Sequence, residues 1–289
     1  AAMTATNGLN SLAGGASASL LRRCVVNVVT ALKILARPAK THSPQSWSKP
    51  WPLPPQQFAI AAVVTLAVFL LGMLFIDAAA IKAVAHLPRW LVWFFDVITD
   101  FGKSGWFLWP LGILFLGLAA LPGLSRMSQL VLAAVMVRVG FLFAAIAVPG
   151  IFTNIVKHIF GRARPGVGGS VDPSLFSPFS WPAAYASLPS GHATTAFSVL
   201  VIFGTLWPRA RTVLLIYALL IAASRIVVTA HYPTDVATGA LVGVLGAVMV
   251  RRFFALRGLG FSVGPDGALR QLPGPSFKRI KAVARELLA

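Results

Sequence analysis

Long apolar runs separated by short polar ones set the rhythm of this 289-residue chain. The first, 58–76, is uncharged over 19 residues. That is close to the ~20 a helix needs to cross a ~30 Å hydrocarbon core. Further runs at 105–121, 129–156, 190–206, 212–230 and 234–250 predict five more spans. The run at 129–156 contains Arg138 and Pro149 and exceeds one simple crossing, so its buried part is placed at 139–156, with Arg138 snorkelling to the interface. Between the first two runs, 77–104 alternates polar residues with Trp90, Trp93, Phe94 and Phe95 and predicts a re-entrant or surface-lying helix at headgroup depth. The predicted class is all-α, a polytopic membrane protein of six transmembrane helices.

The two ends differ from this core. Residues 1–18 are rich in Ala, Ser, Gly and Asn without periodicity, a composition that predicts disorder. The two alanines before Met3 read as a cloning remnant, with Met3 the natural start. Over 19–36 apolar residues recur at helical spacing beside Arg22, Arg23 and Lys33, which predicts a short helix lying on anionic lipid. A signal peptide is the competing reading, but Lys33 interrupts its apolar core. Proline-rich 38–56 is an extended linker ending at the interface with Trp47 and Trp51. The expected organisation is a basic N-terminal segment at 1–56, a six-span domain at 57–252, and a basic cytoplasmic tail at 253–289 with a helix from Ser276. No internal repeat is visible.

Composition agrees with the pattern: 57% of residues are hydrophobic, 11% are charged, and mean hydropathy is +0.80. A soluble domain carries about 25% charged residues. The net charge of +18 does not indicate a nucleic-acid partner, because the cations lie between apolar spans rather than on one soluble face. With the N-terminus inside, 18 of the 25 Lys and Arg fall on the inner face and seven on the outer. Both termini are therefore expected in the cytoplasm. The only cysteine, Cys24, lacks the companions of a disulfide or a thiolate metal site and reads as a small apolar side chain.

That orientation places three polar runs together on the outer side, at 157–165 (KHIFGRARP), 189–192 (PSGH) and 224–235 (SRIVVTAHYPTD). Ionisable groups at membrane depth are costly and mark function by default. Lys157 and Arg164, two helical turns apart, make an anion clamp, and a planar guanidinium suits phosphate. Ser190 and Gly191 open a helix whose free N–H groups cradle an anion, Ser190 as N-cap and Gly191 letting the backbone approach. His192, in the first turn, is placed to donate a proton. Arg225 lies in the last turns of the fifth span. Pro233 starts the sixth, which puts Asp235 in its first turn, where it would accept a hydrogen bond from one ring nitrogen of His231 and leave the other free to attack. Alone, each run has a plainer reading: interface cations, a headgroup-facing histidine, a structural His–Asp pair.

Together, in order, the runs match the Lys-x6-Arg-Pro, Pro-Ser-Gly-His and Ser-Arg-x5-His-x3-Asp signatures of the type 2 phosphatidic acid phosphatase family, which also includes vanadium haloperoxidases. The chain resembles that family closely over 157–235 and in architecture over 58–250. The resemblance implies a phosphatase needing no metal or other cofactor, with an outward-facing site between the third and sixth spans. His231 would be the nucleophile forming a phosphohistidine, Asp235 its orienter, and His192 first acid and then base. Lys157, Arg164 and Arg225, with the backbone of Ser190 and Gly191, would hold the phosphoryl oxygens. Arg162 lies outside the signature positions and is treated as an auxiliary cation.

A site at the interface favours a phosphorylated lipid of the surrounding bilayer over a soluble phosphate. Undecaprenyl pyrophosphate, the 1-phosphate of lipid A, phosphatidylglycerophosphate and phosphatidic acid are the substrates considered, in a bacterial inner membrane with the site facing the periplasm. The Gly-, Pro- and aromatic-rich segment 166–188 is expected to cover the site. A lipid transporter or site-dead scaffold, and a vanadate-dependent haloperoxidase, are the alternatives. The complete set of signature residues argues against a dead site.

Overall fold

Proline opens the first two long helical stretches. Pro55 is the first residue of α1 (Pro55–Gly72), a position that needs no backbone N–H, and Pro88 stands just before α3 (Arg89–Thr99). The computed structural model describes residues 54–121 and 125–288, together with Val25 and Val29, both helical. The expected disorder over 1–18 and interfacial helix at 19–36 otherwise lie outside the described residues, as does the linker as far as residue 53; its last two residues, Pro55 and Gln56, instead begin α1.

A single π-helical turn, Met73–Asp77, carries α1 into α2 (Ala78–Val84), and a 3₁₀ turn, Asp100–Gly102, carries α3 towards α4 (Gly105–Ala119). There follow α5 (Arg126–Phe160), α6 (Gly191–Leu206), α7 (Arg211–Val227) and α8 (Pro233–Leu256). A small antiparallel hairpin of β1 (Phe261–Val263) and β2 (Leu269–Gln271) precedes α9 (Phe277–Leu288). The fold class is as expected, helical and membrane-spanning, with one two-stranded hairpin in the tail.

Among the described residues, five helical stretches are long and apolar enough to cross a membrane: Pro55–Val84, Arg89–Ala119, Arg126–Phe160, Pro208–Val227 and Pro233–Leu256. Apolar side chains such as Val63, Phe75 and Trp109 are exposed along the first two, as lipid-facing residues are. The first span does not stop at residue 76, because Asp77 is buried in an ion pair rather than turned out to water. Residues 89–119 also count as one candidate crossing by length and composition, but within them α3, which carries Trp90, Trp93, Phe94 and Phe95, is a helix separate from α4 and lies inside the stretch 77–104 where a surface-lying helix is expected. The expected fourth span is the 16-residue α6. At ~1.5 Å per residue it is shorter than the other five stretches; it begins at Gly191, behind the N-cap Ser190, and gives way to the 3₁₀ turn Pro208–Ala210.

The described residues fall into two compact units, 109–141 with 253–288, and 54–108 with 142–252. In the first, Phe141 is fully buried, with its ring edge-on to Phe254 and Phe261 at centroid distances of 5.5 and 4.8 Å. Arg138 does not simply snorkel: its guanidinium donates to the carbonyls of Ala134 and Leu272, both at 2.8 Å. Glu286 of α9 accepts from the hydroxyls of Ser125 and Ser128 at 2.9 and 2.5 Å, so the helix expected from Ser276 is docked.

The second unit holds all three signature runs. Here α8 lies backbone to backbone on α6: a Cβ at Gly239 would collide with the Ser190 carbonyl oxygen, and one at Gly243 with that of Thr194. The two glycines, one helical turn apart, allow this approach. The Ser190 amide donates to the Asp235 carbonyl at 3.0 Å, joining the start of α6 to the start of α8.

Candidate active site

The segment between α5 and α6 is irregular and is folded around Arg162. Gly161 turns the chain with φ of +60°, and a Cβ there would overlap the Ser177 carbonyl, so the turn requires glycine. Arg162 follows, fully buried. Its Nε donates to the Pro173 carbonyl at 2.9 Å, Nη1 to Thr234 Oγ1 at 2.8 Å and Asp235 Oδ1 at 2.5 Å, and Nη2 to Asp77 Oδ2 at 2.7 Å. The ring of Tyr232 lies under the guanidinium, 4.6 Å away. Arg162 is therefore spent within the protein and is not an auxiliary cation for a ligand.

Pro233 is the first residue of α8 and Asp235 lies in its first turn, as the sequence predicts. The contact expected between Asp235 and His231 is different. The carboxylate oxygen Oδ2 stands 3.8 Å from His231 Nδ1, too far for a hydrogen bond. Nδ1 is instead 2.8 Å from the backbone carbonyl of Ser187. A carbonyl only accepts, so Nδ1 carries the proton and Nε2 is left with a free lone pair. Asp235 Oδ2 accepts from the Ser187 hydroxyl at 2.6 Å and the Tyr232 amide at 2.9 Å. The reason is local: the turn Thr229–Tyr232 swings the ring towards the 183–188 segment, while the carboxylate is drawn to Arg162. His231 is only 2% exposed. Burial disfavours its cation and pushes its pKa down from the ordinary value, opposed by the Asp235 carboxylate.

The remaining signature residues gather on the other side of the imidazole. Ser190 stands at the N-cap position with extended backbone, but its hydroxyl makes no capping bond. Arg225, at the end of α7, donates through Nη1 to the Thr99 hydroxyl. The Nε atoms of Arg164 and Arg225 and the hydroxyl of Ser190 are buried with no partner among the described residues. Lys157 Nζ lies 3.7 Å from where a Cβ on Gly191 would stand, against the start of α6. Its charge interacts with those of Arg164 and Arg225. Burial also pushes the Arg164 guanidinium below its usual pKa, with Asp235 opposing. His192 packs on the 3₁₀ turn, its Cδ2 2.9 Å from the Cβ position of Gly102. Its charge interacts with those of His231, Arg225, Lys157 and Lys103.

The structure thus brings Lys157, Arg164, Ser190, Gly191, His192, Arg225, His231 and Asp235 into one unit, as the sequence grouped them. It adds Ser187, Thr99 and Asp77, which sequence reasoning passed over. Asp77 carried a usable signal, an acid interrupting an apolar run; Ser187 and Thr99 carried none.

The PAP2 superfamily profile matches residues 138–258. The chain is 33% identical over 222 residues to the lipid A 1-phosphatase of Rhizobium johnstonii, covering 74% of this chain and 88% of that protein. It is 31% identical over 217 residues to the lipid A 1-phosphatase of Rhizobium etli, covering 74% and 93%. Among solved structures, Aquifex aeolicus LpxE aligns with a TM-score of 0.45 at 23% identity, over 61% of this chain and 94% of that one. A transmembrane PAP2-type phosphatidylglycerolphosphate phosphatase from Bacillus subtilis aligns with a TM-score of 0.47 at 20% identity, over 68% and 94%.

Proposed function

The chain belongs to the PAP2 (type 2 phosphatidic acid phosphatase) superfamily and is a membrane lipid phosphatase, and from that premise we propose that it removes the 1-phosphate of lipid A through a phosphohistidine on His231. The observation carrying the mechanism is the juxtaposition of an imidazole whose proton is held on Nδ1 with buried donors that have no partner among the described residues, on Arg164, Arg225 and Ser190. Buried polar groups without partners are costly, and a bound phosphoryl group satisfies all three at once.

His231 Nε2 attacks phosphorus in line with the leaving oxygen. The P–O bond to the lipid breaks, and His192 delivers its proton to that oxygen. The charge of the bound phosphate favours the protonated form of His192 in this step. Neutral His192 then accepts a proton from water, which attacks the phosphohistidine; the P–N bond breaks and inorganic phosphate leaves. Lys157, Arg164 and Arg225, with the amides opening α6, hold the equatorial oxygens, where phosphoryl transfer concentrates charge. These steps use side chains and backbone only. The site is taken to face the periplasm, with both termini cytoplasmic.

The names and aligned lengths of the two Rhizobium relatives favour lipid A over the other phospholipids. The test is phosphate release by purified protein in detergent with EDTA, for wild type and His231→Ala. The panel is lipid A, undecaprenyl pyrophosphate, phosphatidylglycerophosphate and phosphatidic acid. Release by wild type alone, fastest from lipid A, is expected. Faster release from another lipid would overturn the substrate assignment, and equal release by His231→Ala would overturn the mechanism.

A further inference from the structure

A buried carboxylate beside a nucleophilic histidine must be kept ionised and aimed, and the hydrogen bonds around Asp235 show what does so. Asp235 is fully buried and accepts from Arg162, Ser187 and Tyr232. Arg162 does not stop there. Its second nitrogen reaches Asp77, which also accepts from the Thr234 amide at 3.0 Å and hydroxyl at 2.5 Å. All three ionisable side chains are 0% exposed.

Asp77 reaches this place because the π-helical turn Met73–Asp77 interrupts α1. Such single-turn π-bulges recur at functional sites. Arg162 is tied to the nucleophile a second way, through its main chain. Its carbonyl accepts from the Ser187 amide at 3.1 Å, and the Ser187 carbonyl is the acceptor for His231 Nδ1. One residue therefore sets both the carboxylate near the ring and the carbonyl that fixes its tautomer.

Two carboxylates around one guanidinium leave the cluster one negative charge in excess. A cluster of Asp235 and Arg162 alone would be neutral. When His231 forms its bond to phosphorus it keeps the Nδ1 proton, so its ring gains a positive charge. That charge develops 3.8 Å from the nearest carboxylate oxygen of this anionic cluster. Placed charge of this kind stabilises a transition state without reorganising.

Resting on the phosphohistidine reading, we propose that Asp77 and Arg162 are positioning residues of the reaction: with Asp235 they form a buried anionic unit that aims His231 and steadies the charge its ring acquires. Neither touches substrate. The other groups whose charges act on His231 are Arg225 from α7, Arg164 from the segment after α5 and His192 from α6. All stay in place in the variants below.

The test is a nitrogen-NMR titration of His231 in histidine-labelled protein in micelles, assigned by difference from His231→Gln, together with kcat and KM. Asp77→Asn keeps the shape and removes one negative charge, so the imidazolium is less favoured and the His231 midpoint moves to lower pH, by roughly half a unit or more. Arg162→Gln moves it the opposite way, and Asp77→Glu brings it back towards wild type. In Asp77→Asn, kcat falls about tenfold or more while KM changes within about twofold. An unmoved midpoint in folded Asp77→Asn overturns the proposal, and so does failure of Asp77→Asn to fold, which would mean a structural role alone. Wild type that releases no phosphate would sink the phosphatase reading, while the titration still decides the positioning.

Discussion

The two sides of His231 are built to opposite rules. Behind it, Asp77, Arg162 and Asp235 satisfy one another within the protein, and every nitrogen of the Arg162 guanidinium has an acceptor. In front, Arg164, Arg225 and Ser190 each bury a polar atom that no group of the described residues meets. Arg162 behind and Arg225 in front are both buried, so burial alone does not distinguish them. Satisfaction does: a cation with its partners supplied by the fold holds structure, and a cation denied them is kept for a ligand.

The largest effect that sharpens this contrast is at the group between the two sides. His231→Ala is expected to cut phosphate release by about a thousandfold or more, as loss of a nucleophile does. Protein yield and helicity should stay close to wild type, checked by circular dichroism.

Next come the arginines themselves, which should fail in different ways. Arg225→Ala and Arg164→Ala are expected to lower kcat/KM by about a hundredfold or more, as lost oxyanion donors do. Arg162→Ala is expected to destabilise the protein by roughly 3–5 kcal/mol, because it leaves buried carboxylates without their cation. Thermal unfolding in detergent beside a release assay measures both. A stable, inactive Arg162→Ala paired with an unstable Arg225→Ala would reverse the assignment of the two sides.

Packing offers a smaller lever. Gly239→Val pushes α8 off the carbonyl of Ser190 and is expected to cost about 1–3 kcal/mol by overpacking. Activity should fall with it, since Ser190 and Asp235 are joined through their backbones. An unfolding temperature equal to wild type would show that the helices separate without penalty.

The pH dependence probes the imidazole directly. Burial lowers the pKa of His231, so its neutral, attacking form persists as pH falls through the ordinary histidine value of about 6.5. The acid limb of kcat/KM should therefore lie below that value, within a bell whose alkaline limb reports the acid. An acid limb above it would mean that the Asp235 carboxylate outweighs burial. The smallest change is Ser190→Ala. One hydrogen bond from a hydroxyl to a charged phosphoryl oxygen is worth about 1.5 kcal/mol or somewhat more, so kcat/KM should fall about tenfold to a few tens of fold.

Much of the architecture was legible in sequence because a bilayer imposes a length and a composition on whatever crosses it. The starts of α6 and α8 were legible for a local reason: Ser190-Gly191 and Pro233 are helix-start chemistry wherever they occur. The run 58–76 predicts a span that ends where Asp77 begins, since an acid ordinarily leaves the membrane. That inference failed because the acid's partner, Arg162, lies 85 residues away in sequence. Within 77–104 only Asp77 and Thr99 turn inward, to Arg162 and Arg225, while Asp96, Asp100 and Lys103 stay exposed.

The sequence by itself determined the membrane class, the positions of most helices and which eight residues form the candidate site, because these follow from local periodicity and from spacing within three short runs. Only the tertiary structure decided which cation has every nitrogen satisfied and which keep a buried nitrogen unmet, and that His231 is held by the Ser187 carbonyl rather than by Asp235. Those outcomes depend on how hydrogen-bond donors and acceptors from distant segments are shared in a buried space. Spacing along one chain carries no record of that competition.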